Sequence, residues 1–268
     1  MSYWKDRVVL IPGGSLGLGR AVAGCCAKRG ARIALAARGK ESLDAAAKPL
    51  RKAGCDVATF VADLTSDSEV EHLFAQVRQR FGRLDALIQC AGRSSRGKIL
   101  DTSAADFQSM WNLNFLGAVR CVRAAAPLLL NSRGHVVLIG SLASKTAAPS
   151  LGPYPASKFP LAAYAQQLRL ELGPQGLHAL LVCPGPIARE DSGVRYEEIA
   201  ADLPESARLP GGGAKVKAIE PNWLAEQILI ACEKRKPELI VPAKARLLFV
   251  ASQISARLGD WLLRKNIK

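Results

Sequence analysis

Short apolar runs alternate with longer stretches of helical period along most of this chain of 268 residues. Such alternation is typical of repeated βαβ units, whose parallel strands form a sheet that is buried on both faces by helices. We therefore predict an α/β fold with a mainly parallel seven-stranded sheet. The predicted strands are RVVLIP at 7, ARIALAA at 31, DVATFVA at 56, LDALIQ at 84, HVVLIG at 135, HALLVC at 178 and ELIVP at 238.

Three helices and one loop complete this outline. Apolar residues at helical spacing between Val70 and Phe81 predict a helix with Ser66 or Asp67 as its N-cap and Gly82 as its stop. Two longer helices are predicted over about 106–130 and 154–172. From 184 to about 220 the pattern lapses into mixed charges, prolines and three consecutive glycines. We interpret this stretch as a loop and not as a linker between domains.

The formal net charge of +14 raises the question of an anionic partner. From Ala231 onward nine Lys or Arg oppose three acids, a net charge of 9 − 3 = +6. The remaining charge is dispersed, and no aromatic RNA-binding signature or zinc-finger spacing accompanies it. We therefore predict a solvated basic surface and no nucleic-acid partner.

Cysteine and histidine spacing indicates the compartment and the metal content. The seven cysteines include no C-x-x-C pair, and His72, His135 and His178 are far apart in sequence. These spacings predict reduced thiols, a cytoplasmic location and no metal site. The amino-terminal stretch MSYWKDRVVLIPGG lacks the core of a signal peptide, and no uninterrupted apolar run is long enough to span a bilayer.

A glycine-rich turn follows the first predicted strand. Gly13, Gly17 and Gly19 are spaced G-x-x-x-G-x-G, which differs from the G-x-G-x-x-G of the common dinucleotide fingerprint. Glycines between a strand and a helix let backbone N–H groups and the helix N-terminus approach a pyrophosphate. The position of this turn therefore predicts a dinucleotide site.

The ends of the second and third strands refine this prediction. NAD sites place an acid at the position that Ala37 occupies here, whereas an arginine such as Arg38 accommodates a 2′-phosphate. We therefore predict NADP(H) in preference to NAD(H), with a plain surface arginine as the alternative. Asp63, after the third strand, either accepts a hydrogen bond from the adenine amino group or caps the following helix.

Tyr154 and Lys158 are four positions apart in LGPYPASKFPL. Because proline fits the first turn of a helix, Pro155 indicates that the helix begins at Tyr154 and that Lys158 lies one turn further on the same face. A nearby ammonium lowers the pKa of a phenol, which produces a catalytic tyrosine. Taken alone, the pair is more typical of an ordinary i,i+4 surface pair, since such pairs are common on helix faces.

Together these motifs resemble those of the short-chain dehydrogenase/reductase family over about 5–242. Ser141 lies 13 positions before Tyr154, as in the family pattern. The matching segments are GGSLGLG with the three glycines, ADL with Asp63, CAG at 90–92, NLNFLG with Asn114, GSLAS with Ser141, YPASK with Tyr154 and Lys158, and PGPI from Pro184.

The resemblance implies a single doubly wound Rossmann-type domain over 1–243, followed by a helical extension over 244–268. It also implies hydride transfer between nicotinamide and a carbonyl or alcohol substrate. In that chemistry Tyr154 transfers the proton, Lys158 holds the nicotinamide ribose and lowers the tyrosine pKa, and Ser141 hydrogen-bonds the substrate oxygen. Asn114 holds a water that connects Lys158 to solvent or, alternatively, bonds a neighbouring main chain. The implied cofactor-binding residues are Gly13, Ser15, Gly17, Leu18, Gly19, Arg38, Asp63, Leu64, Cys90, Ala91, Gly92, Asn114, Tyr154, Lys158, Pro184, Gly185 and Ile187.

Three departures from the family pattern affect the geometry around the cofactor. Pro12 replaces the usual threonine before the first glycine, Gln89 and Cys90 replace two asparagines, and Arg189 replaces a threonine that touches the carboxamide. An alternative partner for Arg189 is an anionic substrate or a cofactor phosphate. These departures also leave open a catalytically silent regulatory or scaffold protein that binds NADP(H).

The final segment predicts an amphipathic helix. Its apolar residues fall near one side and basic residues flank them; the apolar set is Leu247, Leu248, Ala251, Ile254, Leu258, Trp261 and Leu262, and the basic set is Arg246, Arg257, Arg264 and Lys265. Such a helix packs on the domain, pairs with another subunit or lies on an anionic membrane. The resemblance further implies a homodimer or homotetramer built on the helices at 106–130 and 154–172, and admits a lipophilic substrate bound under the loop at 189–217.

Overall fold

A computed structural model describes residues 2–189, 203–209, 211–213 and 215–267. Its centre is one seven-stranded sheet in the order β3-β2-β1-β4-β5-β6-β7, in which every pair of neighbouring strands is parallel. The predicted α/β fold with seven parallel strands is confirmed. The strands are β1 Val8–Pro12, β2 Arg32–Ala37, β3 Val57–Val61, β4 Ala86–Gln89, β5 His135–Ile139, β6 His178–Pro184 and β7 Glu238–Val241.

Helices cover both faces of this sheet and create two separate cores. Side chains of β1 alternate between them, with Leu10 in the core under α3, α5 and α6 and Ile11 in the core under α1, α2 and α8. The helices are α1 Gly17–Lys28, α2 Lys40–Lys52, α3 Asp67–Phe81, α4 Ala104–Trp111, α5 Gly117–Asn131, α6 Tyr154–Leu172, α7 Glu205–Arg208, α8 Pro221–Glu233, α9 Ala245–Ile254 and α10 Ala256–Lys265.

Local signals in the sequence fix several helix ends. The Ser66 hydroxyl accepts a hydrogen bond from the Glu69 N–H at the start of α3, and Gly82 ends that helix in the left-handed conformation with φ of 72°. Helix α6 begins at Tyr154 with Pro155 in its first turn and continues through Pro160 to Leu172. These ends agree with the predictions.

The single helix predicted over 106–130 is wrong in detail. A capping box between Ser103 and Asp106 starts α4 two residues earlier, and a π-helical turn over Asn112–Leu116 separates α4 from α5. By length and composition the run Ala104–Asn131 would be able to cross a membrane, although charged residues such as Arg120 and Arg123 interrupt its apolar sequence. Its residues Cys121 and Leu129 are fully buried in the core of the domain.

The carboxyl-terminal segment forms two helices and not the predicted single one. Ser255 interrupts it with extended backbone, and its hydroxyl accepts the Leu258 N–H to begin α10. The two helices then pack closely, because a Cβ at Gly259 would collide with Ser252. Phe249 on α9 is buried in the core of the domain, so this pair of helices packs on the domain.

The predicted loop after β6 is partly described. Ile187 pairs with Ile219, where the Ala188 N–H donates to the Ile219 carbonyl at 2.8 Å. The short helix α7 lies within the stretch that we predicted to be a loop. Most of the predicted pocket loop at 189–217 lies outside the described residues, which leave out 190–202, 210 and 214.

Candidate active site

One cleft of about 1000 Å³ opens at the carboxyl edge of the sheet. It lies where the strand order reverses between β1 and β4, the position at which open α/β sheets bind ligands. Among the described residues, every predicted site residue except Asn114 lines this cleft. The lining set is Gly13, Ser15, Gly17, Leu18, Gly19, Arg38, Asp63, Leu64, Cys90, Ala91, Gly92, Ser141, Tyr154, Lys158, Pro184, Gly185 and Ile187.

The glycine turn brings bare backbone to the floor of the cleft. Gly13 and Gly17 have positive φ values of 77° and 51°, which residues with a side chain rarely adopt. A Cβ at Gly13 would stand 2.6 Å from the backbone nitrogen of Ala91, and one at Gly19 would collide with the Gly13 carbonyl. Helix α1 begins here with no side-chain cap, so its N-terminal N–H groups remain for an anion. This cradle fits a dinucleotide pyrophosphate.

The adenosine end of the cleft carries opposite charges. Arg38 is exposed beside Gly39 and Ser42, at the start of α2. The Asp63 carboxylate accepts the N–H and the hydroxyl of Thr65, both at 2.8 Å. The Thr65 backbone hydrogen bond is the main cause of a lowered pKa for Asp63, assisted by the hydroxyl and by the charge of Arg38. The cap of the next helix is Ser66, so the capping alternative for Asp63 is wrong.

Ser141 and Tyr154 reach the same cleft from two directions. Ser141 follows β5, and its hydroxyl accepts the Ala143 N–H at 3.1 Å, which starts a short 3₁₀ turn over Leu142–Ser144. Tyr154 is the first residue of α6, and Ser157 one turn on donates its hydroxyl to the Tyr154 carbonyl at 2.7 Å. The sheet edge and the helix start thereby place a hydroxyl and a phenol in one cavity.

Lys158 lies one helical turn beyond Tyr154 and is buried. Its Nζ donates to the Ile139 carbonyl at 2.9 Å, at the end of β5. Burial lowers the pKa of this ammonium to about 8, against its ordinary value of 10.5. Tyr154 and Lys158 are therefore not an ordinary surface pair, because the lysine is buried and its Nζ is hydrogen-bonded to the end of β5.

Asn114 is buried behind the cleft wall and does not line it. Its Oδ1 accepts the Arg93 N–H at 2.9 Å, while its Nδ2 donates to the Arg93 carbonyl and to the Ser157 hydroxyl. This matches the alternative in which Asn114 bonds a neighbouring main chain. Its side chain also lies close to Gly92, as does the Lys158 Nζ, so Asn114 holds the wall against which the lysine rests.

The three departures from the family pattern have different consequences. Pro12 lacks a backbone N–H but still closes β1, since its carbonyl accepts the Cys90 N–H at 2.9 Å. Gln89 is buried, and neither polar atom of its side chain has a hydrogen-bond partner within the described part of the chain. The Arg189 guanidinium lies 3.8 Å from the point where a Cβ on Gly17 would stand, which places it at the glycine turn.

The far end of the cleft contains residues that the sequence analysis did not assign to the site. Gly211, Lys215, Val216 and both tail helices contribute to it. Gly212 packs against Leu151, and the Lys215 N–H donates to the Asn266 carbonyl at 3.0 Å. The only signal for this wall was the amphipathic pattern of the tail, which does not specify what the tail covers. The additional lining residues include Arg96, Leu142, Thr146, Leu151, Arg208, Lys215, Val216, Leu247, Leu248, Leu262 and Ile267.

A second polar cluster lies at the opposite edge of the sheet. His135 and His178 are register partners at the starts of β5 and β6, with their Nδ1 atoms 2.8 Å apart, and the ligand atoms of both and of Cys232 lie within 4.8 Å of one another. The Tyr3 hydroxyl is hydrogen-bonded to His135 Nε2 at 2.7 Å, and the Lys236 carbonyl is hydrogen-bonded to His178 Nε2 at 2.8 Å. Both imidazoles are thus fully hydrogen-bonded without a cation, and the absence of a metal stays a prediction.

A family model described as short chain dehydrogenase matches residues 7–197. The chain belongs to the short-chain dehydrogenase/reductase family. The fold of this family binds nicotinamide cofactors, and the glycine cradle, Tyr154 and Lys158 of this short-chain dehydrogenase/reductase surround the cleft in which such a cofactor fits.

Individual relatives differ in length and in what they act on. The chain is 32% identical to glycine betaine reductase ATRR of Emericella nidulans over 87% of its own length, and 37% identical to 11-beta-hydroxysteroid dehydrogenase A of Sesamum indicum over 69%. It spans only 18% and 53% of the lengths of these two relatives.

Among solved structures, the chain of this short-chain dehydrogenase/reductase resembles an actinorhodin polyketide ketoreductase variant with NADPH. The two are 27% identical with a TM-score of 0.79, over 90% of this chain and 97% of the other. Structures of similar fold include complexes with NADPH and with NAD. The cofactor preference of this chain therefore depends on its own residues.

Proposed function

We propose that this protein is an NADP(H)-dependent oxidoreductase that interconverts a carbonyl and an alcohol. One observation carries the proposal: Ser141, Tyr154 and Lys158 line the same cleft as the uncapped start of α1 and its glycine turn. A dinucleotide laid from the glycine turn toward Tyr154 puts its nicotinamide beside a phenol, a hydroxyl and a buried ammonium.

In this proposal the bound nicotinamide supplies or accepts the hydride. Tyr154 donates a proton to the substrate oxygen during reduction and takes it back during oxidation. Ser141 donates a hydrogen bond to that oxygen as negative charge develops on it. The Lys158 ammonium stabilises the phenolate that remains, and its bond to the Ile139 carbonyl fixes its position.

The preference for NADP(H) rests on Arg38. This exposed residue lines the adenosine end of the cleft together with Gly39 and Ser42, and its guanidinium would donate charge-assisted hydrogen bonds to a 2′-phosphate. Asp63, the acid on that side, is already engaged by Thr65. A fluorescence titration should therefore give tighter binding of NADPH than of NADH. Arg38→Gln should weaken NADPH binding roughly 10- to 100-fold, the effect of about one charged hydrogen bond, and leave NADH unchanged.

Arg78→Gln is the matched control, because this exposed arginine of α3 does not line the cleft. Equal binding of both nucleotides by the wild-type protein would contradict the NADP(H) preference. Failure to bind either nucleotide would contradict the whole proposal.

A lipophilic substrate is supported by the wall beyond the nicotinamide position. Leu142 and Val216 lie beside Gly185, where a Cβ would stand 3.7 Å and 3.1 Å from their side chains. Leu151 packs under Gly212, and Leu248 and Leu262 come from the tail helices. NADPH oxidation should be measured against quinones, steroids, aldehydes and 3-ketoacyl esters. NADPH binding without turnover on any of them would favour the catalytically silent alternative.

The tail also supports a peripheral membrane contact as part of the proposal. Leu247 and Ile254 are 76% and 78% exposed, and basic residues flank them. Half-exposed Trp261 adds an interfacial aromatic, so the surface suits an anionic bilayer. Ile254→Asp should reduce sedimentation with phosphatidylserine liposomes, whereas Leu100→Asp, an exposed apolar residue outside the tail, should not. Equal pelleting of Ile254→Asp and wild type would contradict the contact.

Oligomeric state and location complete the proposal. Exposed apolar residues on the helices at 106–130 and 154–172, namely Trp111, Phe159 and Leu170, support a homodimer or homotetramer built on these helices. We place the protein in the cytoplasm, at a membrane surface when the tail engages one. Sedimentation velocity of wild type and of Phe159→Asp should distinguish an oligomer from a monomer.

A further inference from the structure

The substrate end of the cleft combines an apolar wall with positive charge. Lys215 and Lys244 line this end, and both residues are exposed. Among the described residues that line the whole cleft, the only acid is Asp63, which lies at the adenosine end. A cleft lined by one sign of charge raises the local concentration of oppositely charged ligands.

Lys215 is held at a defined place in this mouth. Its neighbour Val216 packs against Gly185, which directly follows β6 and lies among the predicted cofactor-binding residues. Lys215 is therefore adjacent in sequence to a residue that contacts the predicted cofactor site. Its backbone N–H donates to Asn266 at 3.0 Å and its Nζ donates to the Lys265 carbonyl at 3.1 Å. One of the three ammonium protons is used in that bond, so two remain for a ligand.

Lys244 approaches the same mouth from the end of β7. It directly precedes α9, whose first turn contains no acid, and its neighbour Ala245 also lines the cleft. Lys215 and Lys244, which come from separate segments, therefore line the same cleft as an apolar wall built from Leu142, Leu151, Val216, Leu248, Leu262 and Ile267. A neutral lipid would use the wall alone, and a small polar ketone would use neither feature.

We propose that Lys215 and Lys244 form an anion subsite and that the substrate is an anionic amphiphile, with an apolar body on the wall and a carboxylate or phosphate on the two lysines. This inference rests on the proposed function, because Tyr154 and Ser141 position the reacting carbonyl. It adds no chemical step: hydride adds to the carbonyl carbon, a proton adds to its oxygen, and the anionic group is unchanged.

Matched pairs of substrates test the subsite. One pair is a long-chain oxo fatty acid and its methyl ester; the other is a 3-oxoacyl coenzyme A thioester and the same acyl group on N-acetylcysteamine. Initial rates of NADPH oxidation should show a higher kcat/KM for the anionic member of at least one pair, by roughly tenfold at low salt, and the advantage should shrink as salt rises. The pair that shows it identifies the anion as a carboxylate or a phosphate.

The double variant Lys215→Gln/Lys244→Gln should lose about tenfold in kcat/KM on the anionic member, mainly through KM, since the lysines bind the substrate without contacting the reacting atoms. Its activity on the neutral member should not change. Lys48→Gln/Lys52→Gln is the matched control, with the same loss of charge on exposed residues of α2 outside the cleft.

The outcomes separate this inference from the proposed function. Equal turnover of the charged and neutral members by the wild-type protein would overturn the anion subsite and leave the oxidoreductase intact. An equal loss on both members in the double variant would also overturn it. Absence of turnover on every substrate would contradict the proposed function, and calorimetric binding of the oxo acid and its ester to the NADPH-loaded protein would then decide the subsite. Binding of the acid that equals that of the ester, or that survives the double substitution, would overturn it.

Discussion

The two edges of the sheet use similar polar residues in opposite ways. At the amino edge, His135 and His178 are hydrogen-bonded to each other, and their remaining ring nitrogens are hydrogen-bonded to Tyr3 and to the Lys236 carbonyl. At the carboxyl edge of the same two strands, Ser141, Tyr154 and Lys158 line an open cleft. Polar groups that satisfy one another within the fold stabilise it, whereas groups directed into a cavity are available for a ligand. Stability and activity should therefore respond separately to substitutions at the two edges.

The largest expected effect is at the carboxyl edge. Tyr154→Phe removes the proton donor and should lower kcat by about 10²- to 10⁴-fold, the usual contribution of a general acid. NADPH binding and the urea midpoint should stay within error of the wild-type values. The measurement is steady-state NADPH oxidation on the best substrate found. Tyr164→Phe, on the same helix but outside the cleft lining, should keep full activity, and a similar loss in both variants would contradict the assignment.

A pair of glycines on α1 tests the cradle. Gly19→Ala forces a Cβ against the Gly13 carbonyl and should lower the free energy of unfolding by about 1–3 kcal/mol while abolishing tight NADPH binding. Gly24→Ala meets no heavy atom within 4 Å and should raise stability by roughly 0.5–1 kcal/mol. Chemical denaturation and fluorescence titration measure both variants. Retained NADPH affinity in Gly19→Ala would show that the cofactor does not depend on this turn.

At the amino edge, Asp85 should affect stability alone. This fully buried carboxylate accepts the Val8 N–H at 2.9 Å and two hydrogen bonds from Arg83. Asp85→Ala leaves a buried N–H without its acceptor and should lower the free energy of unfolding by about 1–3 kcal/mol. The Kd for NADPH should not change. A loss of NADPH affinity would contradict the prediction that the amino edge affects stability alone. Asp44→Ala, on an exposed face of α2, is the control.

The histidine pair makes the amino edge sensitive to acid. Burial lowers the pKa of His135 to about 3 and also lowers that of His178, so burial favours the neutral form of each imidazole in the folded protein. Below about pH 6.5 the unfolded chain binds more protons than the folded one, so stability falls as the pH drops toward about 3. For His135 alone this is about 1.4 kcal/mol per pH unit, or roughly 2 kcal/mol at pH 5.

Urea denaturation at about pH 7.5 and pH 5 measures this dependence. His135→Gln should reduce the difference between the two midpoints, because the titrating imidazole is gone. Exposed His72 serves as the control, and His72→Gln should keep the wild-type difference. An unchanged difference in His135→Gln would locate the acid sensitivity elsewhere.

The sequence predicted those features that depend on neighbours along the chain. Each strand was a short β-branched or apolar run, and the start of α6 followed from Pro155 after Tyr154. The approach of His135 to His178 was missed because it depends on strand register across 43 positions. The tail was predicted as one helix because its apolar spacing continues through Ser255, whose capping role depends on how α10 folds back on α9.

The candidate site divides in the same way. Motif residues such as Gly13, Ser141 and Lys158 could be assigned before any coordinates, since their local sequence fixes their place at a strand end or helix start. The wall that includes Lys215 and Leu262 could not, because it forms only when distant segments pack together. Asn114 shows the limit of motif assignment, since it supports the cleft wall without lining it.

The π-helical turn before α5 has a consequence for insertions and deletions in this region. Its Gly117 N–H bonds the Asn112 carbonyl five residues back, so the turn contains one residue more than an α-helical turn. Each helical residue rotates the chain by about 100°, and this extra residue therefore sets the angular offset between α4 and α5. A chain that lacked one residue here would keep Met110 and Ala118 on the core only by giving up the inward position of Asn114. The number of residues in this turn, as much as their identity, therefore determines whether Asn114 lies on the side of Lys158.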